Sequence, residues 1–188
     1  MVLIIRDGTV YIAESKADFV PTATEGDFTN YADNLHIVRN ENNPGYLMLC
    51  NMMARLVDVL RYEDVFPARL TPKTLSLDTF PRIVSLLDRY GLMGEDRDNI
   101  DVIFARKDKC YRVNFDGCID EVEEFLALCS DDHSAIGSYL KNKDMPIYEL
   151  IRRIHIDQER LTGNVQFPIV VVNTKNAETK IIYREGEI

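Results

Sequence analysis

The order of the hydrophobic patterns along this chain constrains its fold more than any other feature. Runs of apolar and β-branched residues typical of strands come first, and two segments with helical spacing follow them. A second group of strands, a second pair of helices and two final strands complete the 188 residues. Since sheets and helices cover each other's apolar faces, this order predicts an α+β fold. Two antiparallel sheets between two helical layers would account for this order.

Glycine and proline mark the ends of several of these elements. Gly8 suits the tight turn of an N-terminal hairpin, because glycine accepts a positive φ angle. Pro81 and Pro146 lie in the first turns of two helical patterns, where a missing N–H costs little. The chain has no repeat, low-complexity tract or linker, so we expect a single domain over residues 1–188. The patterns predict strands over residues 2–5, 10–13, 35–39, 46–50, 101–106, 110–115, 118–123, 169–173 and 180–184, a helix with Asn51 as its N-cap, and helices over 78–90, 134–142 and 146–161.

The charge of the chain excludes two classes of partner. Its formal net charge is −9, from 31 acidic and 22 basic residues, and no stretch gathers lysine and arginine into a stripe. Binding to nucleic acid or to an anionic membrane needs such a basic surface, so we expect neither. No run approaches the roughly 20 apolar residues of a membrane span, and no leader pattern opens the chain. We therefore expect a cytoplasmic protein.

The cysteine spacing predicts neither a metal site nor a disulfide. No Cys-x-x-Cys pair occurs among the four cysteines, and no other cluster of metal ligands has a suitable spacing, so we expect no metal and no cofactor. A hairpin with the two-residue turn Asp116-Gly117 would place Cys110 opposite Glu123 and Cys118 opposite Phe115. The two thiols would then be too far apart to bridge. We predict reduced, mostly buried thiols at Cys50, Cys110, Cys118 and Cys129.

Three motifs together resemble one known family. Ala135-Ile136-Gly137-Ser138 opens a helical pattern, Thr162-Gly163-Asn164 closes the next one, and the N-terminal hairpin turns at Gly8. This arrangement resembles the proteasome β-subunit family of N-terminal-nucleophile hydrolases over nearly the whole chain. The resemblance implies the four-layer αββα sandwich. Because the family's subunits form rings, it also implies a homo-oligomer.

The resemblance also locates a catalytic site whose chemistry this chain lacks. Family members use a threonine, serine or cysteine at residue one as the nucleophile, with its own α-amine as the base. Aligned on Gly8, Met1 falls at about the third family residue, so we expect the nucleophile to be missing. Ser15 stands where the family has an aspartate, and Ile37 stands where it has a lysine that lowers the proton affinity of the amine. Asn51 lies in the stretch that corresponds to the glycine donating to the oxyanion.

The late part of the family's site is better retained. Ser138 matches the serine of the family's Ile-Gly-Ser motif, and Glu159 and Thr162 stand where members place an aspartate and a serine. Without a nucleophile, we interpret these three residues as retained architecture at helix ends. We interpret His155, beside an apolar helical stripe, as a buried histidine with a hydrogen-bond partner.

Three functional hypotheses follow. The first is a proteasome-like protein without peptidase activity that works through self-assembly or through binding a protein or peptide partner. The second is an active peptide or amide hydrolase of the N-terminal-nucleophile type with an atypical site. The third is a domain that binds a small molecule or peptide in a vestigial cleft near Ser15, Ile37 and Asn51.

Overall fold

The fold is described by a computed structural model for residues 1–15, 37–40, 45–50, 63–91, 101–114, 116–128, 131–163 and 165–184. The chain divides into two compact units. The terminal unit comprises Met1–Tyr31 and Glu124–Ile188, and the central unit comprises Ala32–Glu123. The single domain over residues 1–188 stays a prediction.

Strands and helices alternate in groups along the described residues. The strands are β1 (Val2–Arg6), β2 (Val10–Ser15), β3 (Ile37–Asn40), β4 (Gly45–Cys50), β5 (Asp101–Arg106), β6 (Lys109–Asn114), β7 (Ile119–Glu121), β8 (Phe125–Leu128), β9 (Ile169–Asn173) and β10 (Thr179–Ile182). The long helices are α1 (Phe80–Arg89), α2 (Asp132–Asn142) and α3 (Ile147–Thr162).

The sheet of the terminal unit joins the two ends of the chain. Its strand order is β10-β9-β2-β1-β8, and every neighbouring pair is antiparallel. The first hairpin turns at Gly8, whose φ is +63°, as its sequence predicts. β8 pairs with β1, with Val2 opposite Leu128. The sequence analysis missed this strand, although its four residues Phe-Leu-Ala-Leu form a short apolar run.

Helix α3 packs its apolar stripe against this sheet. Leu150, Ile151 and Ile154 are buried in one cluster with Leu3 and Val171. Pro146 is the N-cap of α3, and the helix ends before Gly163, whose φ of +70° favours glycine. The predicted helix over residues 146–161 is confirmed with its limits shifted by one residue, as Ile147–Thr162. Leu161, which the sequence pattern places in the apolar stripe, is instead 64% exposed.

The central unit has a second antiparallel sheet, of order β3-β4-β5-β6-β7. A helical run covers it, made of the α-helical turn Pro72–Thr74, the π-helical segment Leu75–Thr79 and α1. The predicted start at Asp78 is wrong, because the helical run begins at Pro72, six residues earlier. Thr71 is its N-cap and forms a capping box with Thr74.

The π-helical turn lies immediately before a proline. Within it, Phe80 N–H donates to the carbonyl of Leu75, five residues back. Pro81 has no N–H, so the regular ladder loses a donor at that position. Apolar side chains of the run, including Leu75, Ile83 and Leu87, pack in one cluster with residues of β5 and β6.

The hairpin between β6 and β7 has a different register from the predicted one. Three residues, not two, lie between the paired residues Asn114 and Cys118: Asn114 N–H donates to the carbonyl of Cys118 at 3.0 Å, and Gly117 takes a φ of +88°. The Asp116 carboxylate accepts from Cys118 N–H at 2.8 Å and stabilises this longer turn. Cys110 therefore lies opposite Val122, and its backbone carbonyl accepts from Val122 N–H at 3.0 Å.

The cysteine prediction is confirmed in part. Cys110 and Cys118 are both free, as predicted, but Cys118 is exposed rather than buried. The side chains of Cys50 and Cys129, the predicted helix with its N-cap Asn51, and residues 35–36 of the predicted third strand lie outside the described residues.

Candidate functional site

Met1 and Ser15 form the last pair of contacts between the two strands of the first hairpin, one through the backbone and one through the Met1 ammonium. Ser15 N–H donates to the carbonyl of Met1 at 3.0 Å, and the Met1 ammonium donates to Ser15 Oγ at 3.0 Å. The two residues are 3% and 4% exposed. A buried ammonium is costly unless it is hydrogen-bonded, and Ser15 at the end of β2 supplies an acceptor for it.

The side chain of Met1 does not open to solvent. It belongs to the apolar cluster that contains Leu3, Ile5, Ile151 and Val165. The α-amino group and the side chain of the same residue thus lie at a polar contact and in an apolar core, respectively. A substrate would have to displace this packing to reach either group.

His155 is another ionisable group buried in this unit. It is fully buried on α3, and its Nδ1 lies 2.8 Å from the carbonyl oxygen of Ile151. Since a carbonyl only accepts, we assign the proton to Nδ1. Within the described residues Nε2 has no hydrogen-bond partner. Burial lowers the pKa of His155 to about 3; the Ile151 carbonyl opposes this shift and the N-terminal charge adds to it. The prediction of a buried, hydrogen-bonded histidine is confirmed.

Ser138 joins two helices rather than facing a substrate. It is 8% exposed, and its Oγ donates to Oδ2 of Asp157 on α3 at 2.7 Å. Arg153 holds the other oxygen of the same carboxylate at 3.2 Å. Sequence reasoning missed Asp157, although its spacing of four residues from Arg153 is that of a helical ion pair.

Glu159 and Thr162 make separate contacts. Glu159 forms a 2.7 Å ion pair with Arg184, and Thr162 Oγ1 donates to the carbonyl of Gln158 at 2.9 Å. Both contacts lie near the end of α3. Neither of these two contacts involves Ser138.

The remaining predicted site residues do not add a charge to the amine. Ile37 begins β3 of the central unit, opposite Met48, and is partly exposed. Asn51 lies outside the described residues. Among the candidates in the terminal unit, the structure brings together Met1 and Ser15.

The described residues contain neither a cluster of metal ligands nor a helix suited to a membrane. Over that part of the chain, no three histidine, cysteine or acidic side chains form a group that could hold a metal ion. No described helix combines the length and the apolar character that crossing a membrane requires.

The comparisons with known proteins give matches among solved structures. No family model and no curated protein matches the chain. BPH from Thiobacillus denitrificans is 17% identical, with a TM-score of 0.68 over 93% of this chain and 98% of that chain. The same protein in complex with Epoxomicin is 16% identical, with a TM-score of 0.65 over 97% and 99%.

Anbu proteins match with similar scores. Anbu, described as an ancestral beta-subunit, from Yersinia bercovieri is 10% identical, with a TM-score of 0.63 over 98% of this chain and 87% of that chain. A helical assembly of the Anbu complex from Pseudomonas aeruginosa is 11% identical, with the same score and coverage. The chain therefore has the α+β fold of the proteasome-like N-terminal-nucleophile hydrolases, and the resemblance inferred from its sequence is confirmed at the level of the fold.

Proposed function

We propose that this protein is a proteasome-like subunit that does not hydrolyse peptides and acts through self-assembly, with binding of a protein or peptide partner as the role of the assembly. The observation that carries the proposal is the burial of Met1. Its ammonium is hydrogen-bonded to Ser15 and its side chain is 3% exposed within an apolar cluster. In this geometry Met1 holds the start of β1 in place through its packing and its hydrogen bond, and it is not presented to a substrate.

The chemistry of the site supports the same conclusion. The thioether of Met1 carries no proton that a base could remove, so it cannot become an oxygen or thiolate nucleophile. Ser15 supplies a neutral hydroxyl where the family resemblance leads us to expect a carboxylate. Ile37 supplies no positive charge where that resemblance leads us to expect a lysine.

Two observations support self-assembly. Ile136 and Leu140 lie one turn apart on α2 and are 39% and 59% exposed, and Leu161 at the end of α3 is 64% exposed. Large apolar side chains that remain exposed on neighbouring helices are typical of protein interfaces. One of the similar solved structures is itself a helical assembly.

A hydrolase with an atypical site is the second candidate. The Met1 nitrogen lies 3.0 Å from Ser15 Oγ, which is the separation of a base and a nucleophile. However, Ser15 is 4% exposed. A substrate carbonyl could reach its oxygen only if the end of the chain moved.

The test is to incubate the purified protein with fluorogenic peptides, with epoxomicin and with a serine-directed fluorophosphonate, and then to measure intact mass. We expect no turnover above buffer and no adduct. An active proteasome treated in parallel is the control that the reagents work. An adduct on the N-terminal residue together with turnover would overturn the proposal, and a fluorophosphonate adduct lost in Ser15→Ala would establish the second candidate instead.

A further inference from the structure

The outer face of α2 carries two large apolar side chains near its middle. Ile136 and Leu140 are one turn apart, and both are exposed. Ala135 and Ser138 lie on the other side of the helix and are buried, and Ser138 bonds to Asp157 of α3. The packing of the terminal unit therefore uses one side of α2 and leaves the side with the two apolar residues to solvent.

The same outer face has room for another backbone. Gly137 follows Ile136 directly, and a Cβ built at this glycine meets no atom within 4 Å. A glycine inside a helix costs about 1 kcal/mol relative to alanine. Because the space around Gly137 is open, the missing side chain brings no closer packing within the described chain, but it allows a partner helix to approach closely.

The two ends of this face carry opposite charges. Asp132 opens α2, and Lys143 is its C-cap, eleven residues later. Residues eleven apart on a helix point only about 20° apart, so both side chains lie on one flank of the apolar pair. Both residues are exposed, and neither makes a side-chain hydrogen bond or ion pair with another residue of the described ranges.

The other charged groups of this segment fit the same pattern. The carboxylate of Asp131, the N-cap, accepts from Ser134 N–H at 3.1 Å and so belongs to the helix end. Asp144 follows the C-cap, whose φ of −57° and ψ of −20° continue the helical direction. It therefore lies on the second flank of the face, on the same side as His133. Lys141 points about 100° away from Leu140, at the edge of the face.

A face of this kind is complementary to itself when two copies run antiparallel. A two-fold axis through the middle of the apolar pair places Ile136 of one copy opposite Leu140 of the other and keeps equal flanks together. Asp132 then comes within about one residue's rise, about 1.5 Å along the axis, of the position opposite Lys143. On the second flank, His133 meets Asp144 in the same way. A parallel pair would instead set Asp132 against its own copy.

The size of the contact limits its strength. α2 has 11 residues, so the face is about 16 Å long at a rise of about 1.5 Å per residue. A stable interface buries about 800 Å² on each partner, and one side of so short a helix, about 10 Å across, provides less. The contact therefore joins two copies weakly by itself and holds a larger assembly only together with other contacts.

We propose that α2 forms a two-fold contact between copies of this protein, packing antiparallel on α2 of a second copy with Ile136 against Leu140 and Asp132 against Lys143. This inference rests on the proposed self-assembly and names a surface that it uses. The contact is isologous, so it closes after two copies, and any larger assembly adds a second, different contact.

The test uses charge reversal and sedimentation velocity over a concentration series. Two single variants carry Asp132→Lys or Lys143→Asp, and a third variant carries both substitutions. The matched controls are Asp88→Lys and Lys73→Asp, which make the same changes of charge at exposed positions of the central unit. Circular dichroism and thermal unfolding establish that each variant folds.

We expect each single variant to associate at least about tenfold more weakly than wild type, because like charges then face each other at both ends of the contact. The two controls should associate normally. The double variant should regain wild-type association, since each reversed residue again meets an opposite charge. Both substitutions oppose the helix macrodipole, so a more stable α2 cannot be the cause of that recovery.

Four results overturn the inference. If wild type assembles and both single variants associate equally well, α2 does not form this contact, while the proposed function stands. If the double variant stays as weak as the single variants, Asp132 does not face Lys143 and the antiparallel arrangement is wrong. If the controls dissociate equally, net charge is the cause. If wild type is a monomer at every concentration, the proposed self-assembly fails as well.

Discussion

At the scale of single residues, the contact between Met1 and Ser15 is the one whose removal is most informative. Ser15→Ala removes the hydroxyl that accepts from a buried ammonium at 3.0 Å. We expect the free energy of unfolding to fall by about 1–3 kcal/mol, because the charge then loses an acceptor that water does not replace. Urea unfolding measures this change.

The matched control is Ser85→Ala, an exposed serine on α1. Surface substitutions of this kind usually change stability by less than about 0.5 kcal/mol. Equal effects of the two substitutions would show that the ammonium does not depend on Ser15.

His155 gives the fold a specific sensitivity to acid. Its pKa is lowered from 6.5 to about 3 on folding, so between these values the unfolded chain binds a proton that the folded chain excludes. Stability is therefore complete above about pH 6.5 and falls as the pH falls toward 3. Between about pH 6.5 and about pH 5 the loss from this group is about 2 kcal/mol, at about 1.36 kcal/mol per unit.

The prediction is that His155→Gln unfolds with a shallower pH dependence over this window than wild type. His133→Gln is the control, since His133 is exposed on α2, and it should keep the wild-type slope. Unfolding by urea at a series of pH values measures both. Identical slopes in the two variants would contradict the assignment to His155.

Residues whose role is local could be predicted from the sequence. Gly8 and Gly163 take positive φ angles as their positions suggested, and His155 bonds a carbonyl four residues back. The bond from Ser138 to Asp157 could not be predicted, because 19 residues separate the partners and only the packing of α2 on α3 brings them together.

At the scale of elements, α3 offers a test of its buried face. Ile151 is fully buried, whereas Leu161 on the same helix is 64% exposed. Ile151→Ala should lower the free energy of unfolding by about 2–5 kcal/mol, because it leaves a cavity as well as losing apolar contact.

Leu161→Ala is the control from the same element, and it should cost less than about 0.5 kcal/mol. Denaturant unfolding of the two variants gives the comparison. A loss below about half a kcal/mol for Ile151→Ala would mean that the stripe does not pack as described.

Long periodic elements were predictable, and short or irregular ones were not. The stripe of α3 spans 16 residues, which is enough for its period to be read. β8 has four residues and no alternation, so pattern alone does not separate it from a helix or a loop. The turn between β6 and β7 has one residue more than predicted, and this single residue shifts every cross-strand pair of the hairpin.

At the scale of the whole molecule, the order of elements predicted the α+β class and the family resemblance predicted the fold, but neither establishes the activity. Proteins of one fold carry different functions, and function resides in the site. The family resemblance indicated which residues of this chain correspond to the family's site. The burial of Met1 could be seen only in the packing of the terminal unit. That packing joins residues from both ends of the chain and has no signature in any one segment.

The whole-molecule prediction is an assembly larger than one chain. Sedimentation at micromolar concentration should give a mass that is a multiple of 21.6 kDa. Double substitution of Ile136 and Leu140 by serine should reduce this mass if the exposed face of α2 lies in an interface, because the contact loses its apolar area. A single species of 21.6 kDa at every concentration would contradict the prediction.

The pairing of β2 with β9 determines when this protein can finish folding as it is synthesised. The first hairpin is synthesised long before β9, so Tyr11 must wait for Asn173 and Ser15 must wait for Ile169. The central unit is continuous in sequence and can form its sheet during that wait. A nascent chain stalled before residue 169 therefore presents an apolar hairpin with one long edge uncovered, which is the kind of surface that chaperones recognise.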